Sequence, residues 1–480
     1  MTTQPPDIPR RSRKSIGRNS SIFAVSITCC LRLAVGTAIA AYDGPTTVRI
    51  ENVRTAPRDA KTATVSFDIS WKNSWRHEEN HDAAWVFFKA KPEGAADWEP
   101  ARLATDKVLN PAGYGQQSGT PLDFIVPDGA DGFVGMFVRR AEFGQGDLQA
   151  SGVTAVWELA TSRGVDRGAH TEIRGFAIEM VYVPEGPFYL GLGGEDACAF
   201  YRYDERVARK QPYRVTGPGA IATGRQPGRL WAGGKDGQPE NGGQIPAGFP
   251  NGYCAFYCMK RVLKGVEYVG FLNTLPPEMA ESRYPELKPG LRPAGGRPNS
   301  TFSWSNGSYV KRVGESPSRT YSAGLHFISN LSWADAATWS AWAGLRPMTE
   351  LEYEKASRGP RGPGVETGFA LQYNSYWDIQ EMNGWKTGCE QPVTVGNAEG
   401  RSFEGTHGRG TTKCPVDWPQ EDAVGMGTRG GWEYRNPSCR LSAAFMYPER
   451  YYVWRAVRTA PREARDQWTA SKENTKKEKP

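Results

Sequence analysis

The stretch 331–358 contains the signals for two short helices joined by a tight corner. Ser332 is placed to cap the first helix, and Asp335 follows three residues later, where a carboxylate favours the positive end of the helix dipole. Gly344 can end this helix in the left-handed conformation. Four residues share one face at helical spacing, and this face is expected to be buried: Ala336, Trp339, Ser340 and Ala343.

A second helix is predicted immediately after the corner. Thr349 is followed three residues later by Glu352, which together form a capping box. Pro347 precedes the box and restricts the backbone at the corner. The chain therefore contains a helix–corner–helix unit, although most of its other apolar patterns are those of strands.

The N-terminal third of the chain has the period-two alternation of half-buried strands. Further strand candidates lie at 85–88 and 133–140, and turn residues separate the segments. These patterns predict an antiparallel β-sandwich over 42–162, with a polar linker at 163–175. The alternating apolar residues are Val65, Phe67, Ile69 and Trp71, and later Val153, Ala155, Trp157 and Leu159.

The first 40 residues have the pattern of a secretory signal. A segment rich in arginine precedes the apolar stretch 22–41, which ends in the small-x-small sequence Ala-Ile-Ala at 38–40. We therefore expect an exported protein, periplasmic or extracellular. Arg32 interrupts the apolar stretch, so the alternative is an uncleaved segment that anchors the protein to a membrane.

The formal net charge of +7 is concentrated at the two ends of the chain. Residues 1–40 carry +5 and residues 461–480 carry +2, which leaves the intervening body close to neutral. A neutral body does not favour a nucleic-acid partner. Residues 461–480 are charged and lack apolar periodicity, so they are expected to form a disordered tail.

Four ordered blocks resemble the formylglycine-generating enzyme (sulfatase-modifying factor) family. The sequence SWADAATWSAWAGLRPMTELEYEKASR at 332–358 is similar to the family signature. The other blocks are FAIEMVYVPEGPFYLG at 176–191, FYCMK at 256–260, and RGGWEYRNPSCRLS from 429 onward. The resemblance implies a loop-rich, C-type-lectin-like domain over about 176–460. The whole chain is then an α+β protein, with the β-sandwich followed by this domain.

The resemblance also implies where catalysis would occur. Active members of the family use two cysteines, five residues apart, to bind copper(I) and oxidise a cysteine of a sulfatase, because a soft cation prefers thiolate ligands. The matching window 432–444 contains only Cys439. A non-catalytic recognition or structural role is therefore favoured, with an envelope or extracellular protein or a glycan as partner. The alternative is a copper-dependent oxidase of sulfatase cysteines that uses Cys439.

The same window supplies the candidate binding residues of the favoured function. They lie where this fold displays variable side chains, and they are Trp432, Tyr434, Arg435 and Arg440. Family members also bind calcium through a loop similar to G-N-x-W-E-W, with oxygen ligands. The nearest stretch here is 381–390, in which Asn383 and Glu390 are the candidate calcium ligands and Lys386 lies between them.

We interpret the remaining motifs as structural features rather than as catalytic or cofactor-binding sites. His77-Glu-Glu-Asn-His81 matches the zinc-protease pattern but lies between strand patterns, so an exposed loop is expected. The glycines of 425–430 precede no helix and therefore do not predict a dinucleotide site. His407 is expected to be a loop histidine. Six cysteines remain after the signal, which is compatible with disulfides in an exported chain.

Overall fold

A computed structural model describes most of the chain that follows the predicted signal. The described residues are 48–104, 115–127, 133–159, 171–193, 198–207, 210–233, 238–283, 301–305, 308–312, 328, 331–362, 375–382, 390–430, 452–461 and 464. The predicted signal and the stretch 163–170 lie outside them. Within the described part, no helix has both the length and the apolar character needed to cross a membrane.

Strands outnumber helices throughout the described part. The strands are β1 (Arg49–Pro57), β2 (Thr62–Arg76), β3 (Asp82–Pro92), β4 (Glu99–Ala101), β5 (Ser118–Gly119), β6 (Leu122–Ile125), β7 (Gly135–Arg140), β8 (Gly144–Glu158), β9 (Thr171–Val183), β10 (Phe188–Leu190), β11 (Phe200–Arg202), β12 (Tyr213–Val215), β13 (Ile221–Ala222), β14 (Leu230–Ala232), β15 (Gln244–Ile245), β16 (Phe256–Met259), β17 (Thr301–Ser305), β18 (Ser308–Arg312), β19 (Arg346–Pro347), β20 (Glu390–Thr394), β21 (Met426–Gly430) and β22 (Ala456–Thr459). The helices are α1 (Gly265–Leu272), α2 (Pro277–Ser282), α3 (Trp333–Ala343) and α4 (Glu350–Arg358). The protein is therefore a β-rich α+β fold.

Two antiparallel sheets organise the molecule. The first has the strand order β1-β2-β8-β5. The second has the order β19-β22-β16-β9-β3-β7-β6, and β4 also pairs with β3. The side chains predicted to alternate on β2 and β8 are buried between these sheets, where they contact Val86 and Phe88 of β3 in one apolar cluster. The strand predictions for this region are confirmed.

The second sheet extends across the predicted linker. Residues 171–175, expected to lie in that linker, are the first residues of β9. β9 pairs with β3 from Thr171 opposite Pro92 to Val181 opposite Asp82, and its other edge pairs with β16. One sheet thus contains strands from both predicted domains, and 45–480 form a single compact unit.

The composition of β3 explains why the sheet continues. Ala84, Val86 and Phe88 face the cluster between the two sheets, whereas Trp85 and Phe87 face the core beneath α3. A strand that is apolar on both sides needs cover on both sides, as interior strands do. The C-terminal region provides the second cover.

The helix–corner–helix prediction is confirmed in its details. Ser332 accepts a hydrogen bond from the backbone N–H of Asp335, and Thr349 accepts one from Glu352. Gly344 ends α3 with a φ of 73°. The sequence predicted that only one face of α3 is buried, but nearly all side chains of this helix are buried. The helix lies inside the core rather than on its surface.

The predicted tail begins too early in the sequence. Ala464 is buried in the same core cluster as α3, and its backbone N–H donates to the carbonyl of Pro461 at 3.1 Å. The chain therefore still contacts the core beyond residue 460, within the segment that the sequence predicted to be a disordered tail.

Candidate functional site

Most of the residues predicted to bind or react lie outside the described residues. These are Asn383, Trp432, Tyr434, Arg435, Cys439 and Arg440. Glu390 is described and is the first residue of β20, where it is half-buried. It pairs with Gly430 on one side and with Tyr452 on the other, and its carbonyl accepts from Val453 at 3.2 Å. Gly430 and Tyr452, which flank the segment 431–451, therefore both lie beside Glu390.

Several described oxygens near Glu390 already accept hydrogen bonds from protein donors. The side-chain amide of Gln391 donates to the carbonyls of Glu381 and Met382, at 2.7 and 3.2 Å. The Glu381 carboxylate accepts from Lys264 Nζ at 3.1 Å, and this ammonium lowers the pKa of Glu381 against the opposing effect of burial. Calcium needs six or more oxygens free to coordinate it. Within the described residues, no group of three or more acidic, histidine or cysteine side chains is placed to hold a metal.

Two of the described thiols, Cys258 and Cys414, are poorly suited to copper(I). Cys258 of β16 is fully buried, and burial raises the pKa of its thiol to about 12. Burial also raises the pKa of Cys414. A soft cation binds thiolate rather than thiol, so these sulfurs are poor ligands at neutral pH. No disulfide joins the cysteines in the described part of the chain.

Helix α4 bears charged side chains that are all buried. The carboxylate of Glu350 accepts from Arg429 of β21 at 2.7 Å and from the backbone N–H of Gly396 at 2.8 Å. Glu352 receives both terminal nitrogens of Arg346, at 2.6 and 2.9 Å. Each carboxylate therefore holds a different part of the chain against the helix.

The C-terminal half of α4 continues this arrangement. Glu354 accepts from the backbone N–H of Gly191 at 2.7 Å and pairs with Arg358 at 2.5 Å. Lys355 donates to the carbonyl of Gly252 at 2.7 Å, and burial lowers its pKa to about 7. Helix α4 thus holds irregular loops against the core, and its charged side chains form their ion pairs and hydrogen bonds inside the protein.

The zinc-protease-like motif is a turn between β2 and β3. His77 is exposed, and its backbone N–H donates to the carbonyl of Asn80 at 2.8 Å. His81 is buried instead of exposed, with Nε2 3.0 Å from the Tyr257 hydroxyl and 3.1 Å from Arg139. Burial, with nearby Arg139, lowers the pKa of His81 well below its usual range. The two imidazoles therefore differ in environment and do not form a helical zinc pair.

His407 is a structural histidine. It is half-buried, and its Nε2 accepts a hydrogen bond from the backbone N–H of Thr459 at 3.0 Å. Burial lowers its pKa well below the usual value, so the ring stays neutral. It joins its loop to β22.

Asp82 is a buried carboxyl group whose pKa is strongly raised. It is fully buried and accepts from Trp71 Nε1 and Ser74 Oγ, both at 2.9 Å. Lys260 lies 3.9 Å away and pairs more closely with Glu179, at 2.6 Å. Burial, strengthened by Glu179, raises the pKa of Asp82 to about 7. This closed cluster joins the sandwich to the C-terminal core.

A group of aromatic and cationic side chains lies on four short strands and in the loops beside them, and its cations are exposed. β10 pairs with β12 and β11 with β14, and the N–H of Arg202 donates to the carbonyl of Gln211 at 2.8 Å to connect the two ribbons. The inner side chains of both ribbons belong to one core cluster: Phe188, Leu190, Phe200, Val215, Leu230 and Ala232. Because side chains alternate along a strand, the intervening residues share the outer side.

Three aromatic rings on that outer side each lie beneath a cation. Lys210 Nζ is 5.2 Å from the centre of the Tyr201 ring, which is opposite Trp231 on the neighbouring strand. The other two pairs are Arg225 over Trp231, at 5.3 Å, and Arg214 over Tyr189, at 5.8 Å. We call these six residues the aromatic–cationic face.

The cations of this face are exposed and available for a ligand. Lys210, Arg214 and Arg225 are exposed, and none of them forms an ion pair with a described carboxylate. Our sequence analysis did not identify this face. Its signal was the triplets FYL, FYR and LWA, in each of which an aromatic residue follows a buried apolar residue.

Comparisons with protein-family models, with curated proteins and with solved structures find no match to this chain.

Proposed function

We propose that the chain is an exported protein whose C-terminal region is a non-catalytic relative of the formylglycine-generating enzymes. Its role is recognition or structural attachment in the cell envelope or outside the cell. The partner is an envelope or extracellular protein or a glycan. The family relationship depends on the four motif blocks described above.

The observation that carries the proposal is the burial of every charged side chain on α4. Glu350, Glu352 and Glu354 each bind a backbone N–H or an arginine that holds a loop. A helix used in this way serves as scaffold for surface loops. The chemistry of Cys258, whose thiol has a pKa of about 12, also disfavours a copper centre in the described core.

A direct assay tests the absence of catalysis. Purified protein is incubated with copper(I), oxygen and a cysteine peptide of sulfatase type, and formylglycine is measured by mass spectrometry. We expect no conversion by the wild type and no difference for Cys439→Ser. Conversion that disappears in Cys439→Ser would establish the oxidase alternative and overturn the proposal.

A second experiment tests export. The full chain is expressed in a bacterium, and the mature N-terminus is sequenced after cell fractionation. We expect cleavage close to Ala40 and recovery outside the cytoplasm. Recovery of an intact N-terminus in the membrane fraction would support the anchored form, and recovery in the cytoplasm would contradict export.

A further inference from the structure

We propose that the aromatic–cationic face binds an acidic polysaccharide through its carboxylate or sulfate groups. The inference rests on the proposed recognition function and specifies its surface and ligand class. The six residues are Tyr189, Tyr201, Trp231, Lys210, Arg214 and Arg225.

The first argument is charge complementarity. In a body whose net charge is close to zero, three exposed cations lie on one side of neighbouring ribbons without an acidic partner among the described residues. Buried cations elsewhere in the protein bind carbonyls or carboxylates, as Lys355 and Arg429 do. Cations left exposed and unpaired on a rigid surface are suited to external oxyanions, with which charged hydrogen bonds are strong.

The second argument is preorganisation. Each cation is held against the face of a ring, and that ring is fixed in a strand whose neighbours are buried in the core, as Phe200 and Leu230 are. Less side-chain entropy is lost when a ligand binds to cations that are already positioned. Arg214 lies on β12, and Lys210 and Arg225 lie in the loops before β12 and β14, so the cations that would contact the ligand come from three segments of the chain.

The geometry favours a saccharide over a nucleic acid. Bases bind to single-stranded-nucleic-acid sites by stacking on open aromatic faces. Here a cation covers one face of each ring, and Trp231 is only 5% exposed. The neutral body also lacks the long-range positive field typical of proteins that bind polyphosphates.

Binding is measured on the full mature chain with defined polymers. Heparin supplies sulfate groups, polygalacturonate supplies carboxylates, and dextran is the neutral control. Single-stranded oligo-dT and poly-glutamate represent the other polyanions. We expect binding to heparin, polygalacturonate or both, no binding to dextran, and weaker binding to the two non-saccharide polymers.

A matched pair of triple variants locates the site. Lys210→Ala, Arg214→Ala and Arg225→Ala together should weaken polysaccharide binding about tenfold or more, because three charged contacts are lost. The control removes three exposed charges from the sandwich, through Arg49→Ala, Arg54→Ala and Lys61→Ala. It has the same net charge and should bind like the wild type.

The role of the rings is tested separately. Tyr189→Leu keeps Arg214 but removes the ring beneath it, so binding should weaken by less than in the triple variant. Circular dichroism checks that each variant is folded. Equal losses in the two triple variants, no binding to either acidic polysaccharide, or tighter binding to oligo-dT or poly-glutamate would each overturn the inference.

These outcomes are independent of the oxidase assay. Polysaccharide binding that survives in the cation variant would reject this face but leave recognition as the function. Formylglycine formation would reject the proposed function regardless of the binding results.

Discussion

Lys89 Nζ donates a 2.8 Å hydrogen bond to the carbonyl oxygen of Trp342, 253 residues further along the chain. Lys89 is on β3 of the sandwich, and Trp342 is in the last turn of α3. The same nitrogen, whose pKa is lowered by burial, also binds the carbonyl of Gly410 and lies 4.8 Å from the centre of the Trp342 ring. Carbonyls at the C-terminal end of a helix lack donors within the helix and carry a partial negative charge. A side chain of β3 therefore caps the C-terminal end of α3.

We expect Lys89→Met to lower the free energy of unfolding by about 2–3 kcal/mol, because buried carbonyls lose their donor. Denaturant unfolding followed by tryptophan fluorescence measures the change. Lys72→Met is the control, since Lys72 is exposed and its pair with Asp147 should contribute less than about 1 kcal/mol. A result for Lys89→Met no larger than that of the control would contradict a capping role.

The buried pair of Glu350 and Arg429 should show strong coupling. Each single variant, Glu350→Gln or Arg429→Met, leaves one uncompensated buried group and should cost about 3–5 kcal/mol. The double variant should cost clearly less than the sum of the two. A double-mutant cycle on the exposed pair Lys72 and Asp147 provides the reference. Additive losses at Glu350 and Arg429 would show that the pair does not hold β21 against α4.

The contribution of Asp82 to stability should fall as pH rises from about 4 to 7, whereas the lowered pKa values of His81 and His407 act in the opposite direction below 6.5. Burial raises the pKa of Asp82 from 3.8 to about 7, so in this window the folded state keeps a proton that the unfolded chain has released. Burial raises the pKa of Glu267 to about 7 as well, which acts in the same direction. In urea unfolding at a series of pH values, the slope of the unfolding free energy against pH should be more positive for Asp82→Asn than for the wild type.

Asp147→Asn is the control for this pH series. Asp147 is exposed, and a hydrogen bond from Lys72 lowers its pKa below 3.8, so its contribution changes only in more acidic solution. The slope between pH 4 and 7 should then match the wild type. An Asp82→Asn slope that also matches would mean that Asp82 is ionised throughout this range.

Gly344 should resist replacement by alanine. Its φ of 73° is in the left-handed region, and an added Cβ would lie 2.8 Å from Val134 Cγ1. We expect Gly344→Ala to cost about 1–2 kcal/mol for the backbone alone, with a further loss from the contact. Thermal unfolding is the measurement. Gly217→Ala, where the added atom meets open space, should leave the transition unchanged, and similar losses at both sites would contradict the cap.

Cys258 should be unreactive in the folded protein. Burial raises the pKa of its thiol to about 12, so little thiolate exists at pH 8. Iodoacetamide followed by peptide mapping should label Cys258 only after denaturation. The Cys258→Ala variant should lose one label from the denatured count and none from the native count. Labelling of Cys258 in native protein would show that β16 opens readily.

The sequence predicted local structure well wherever the signal lies within a few residues. The cap at Ser332, the left-handed end at Gly344 and the capping box at Thr349 each depend on neighbours in the next turn. The alternation from Val65 to Trp71 likewise follows from the period of a strand. These features need no knowledge of what the segment packs against.

Only the tertiary structure decided how the segments combine. The sequence analysis placed a linker where β9 begins, because the polar and glycine residues before Phe176 resemble a boundary. The apolar residues of β3 show that both of its sides need cover, but not which distant segments provide it. Glu350 pairs with Arg429, Lys89 with Trp342 and Tyr201 with Trp231, which lie 79, 253 and 30 residues away in the chain. Side-chain burial and pairing depend on such distant contacts. The tertiary structure was therefore needed to show that the α4 charges form buried ion pairs and hydrogen bonds, and that the aromatic–cationic face exists.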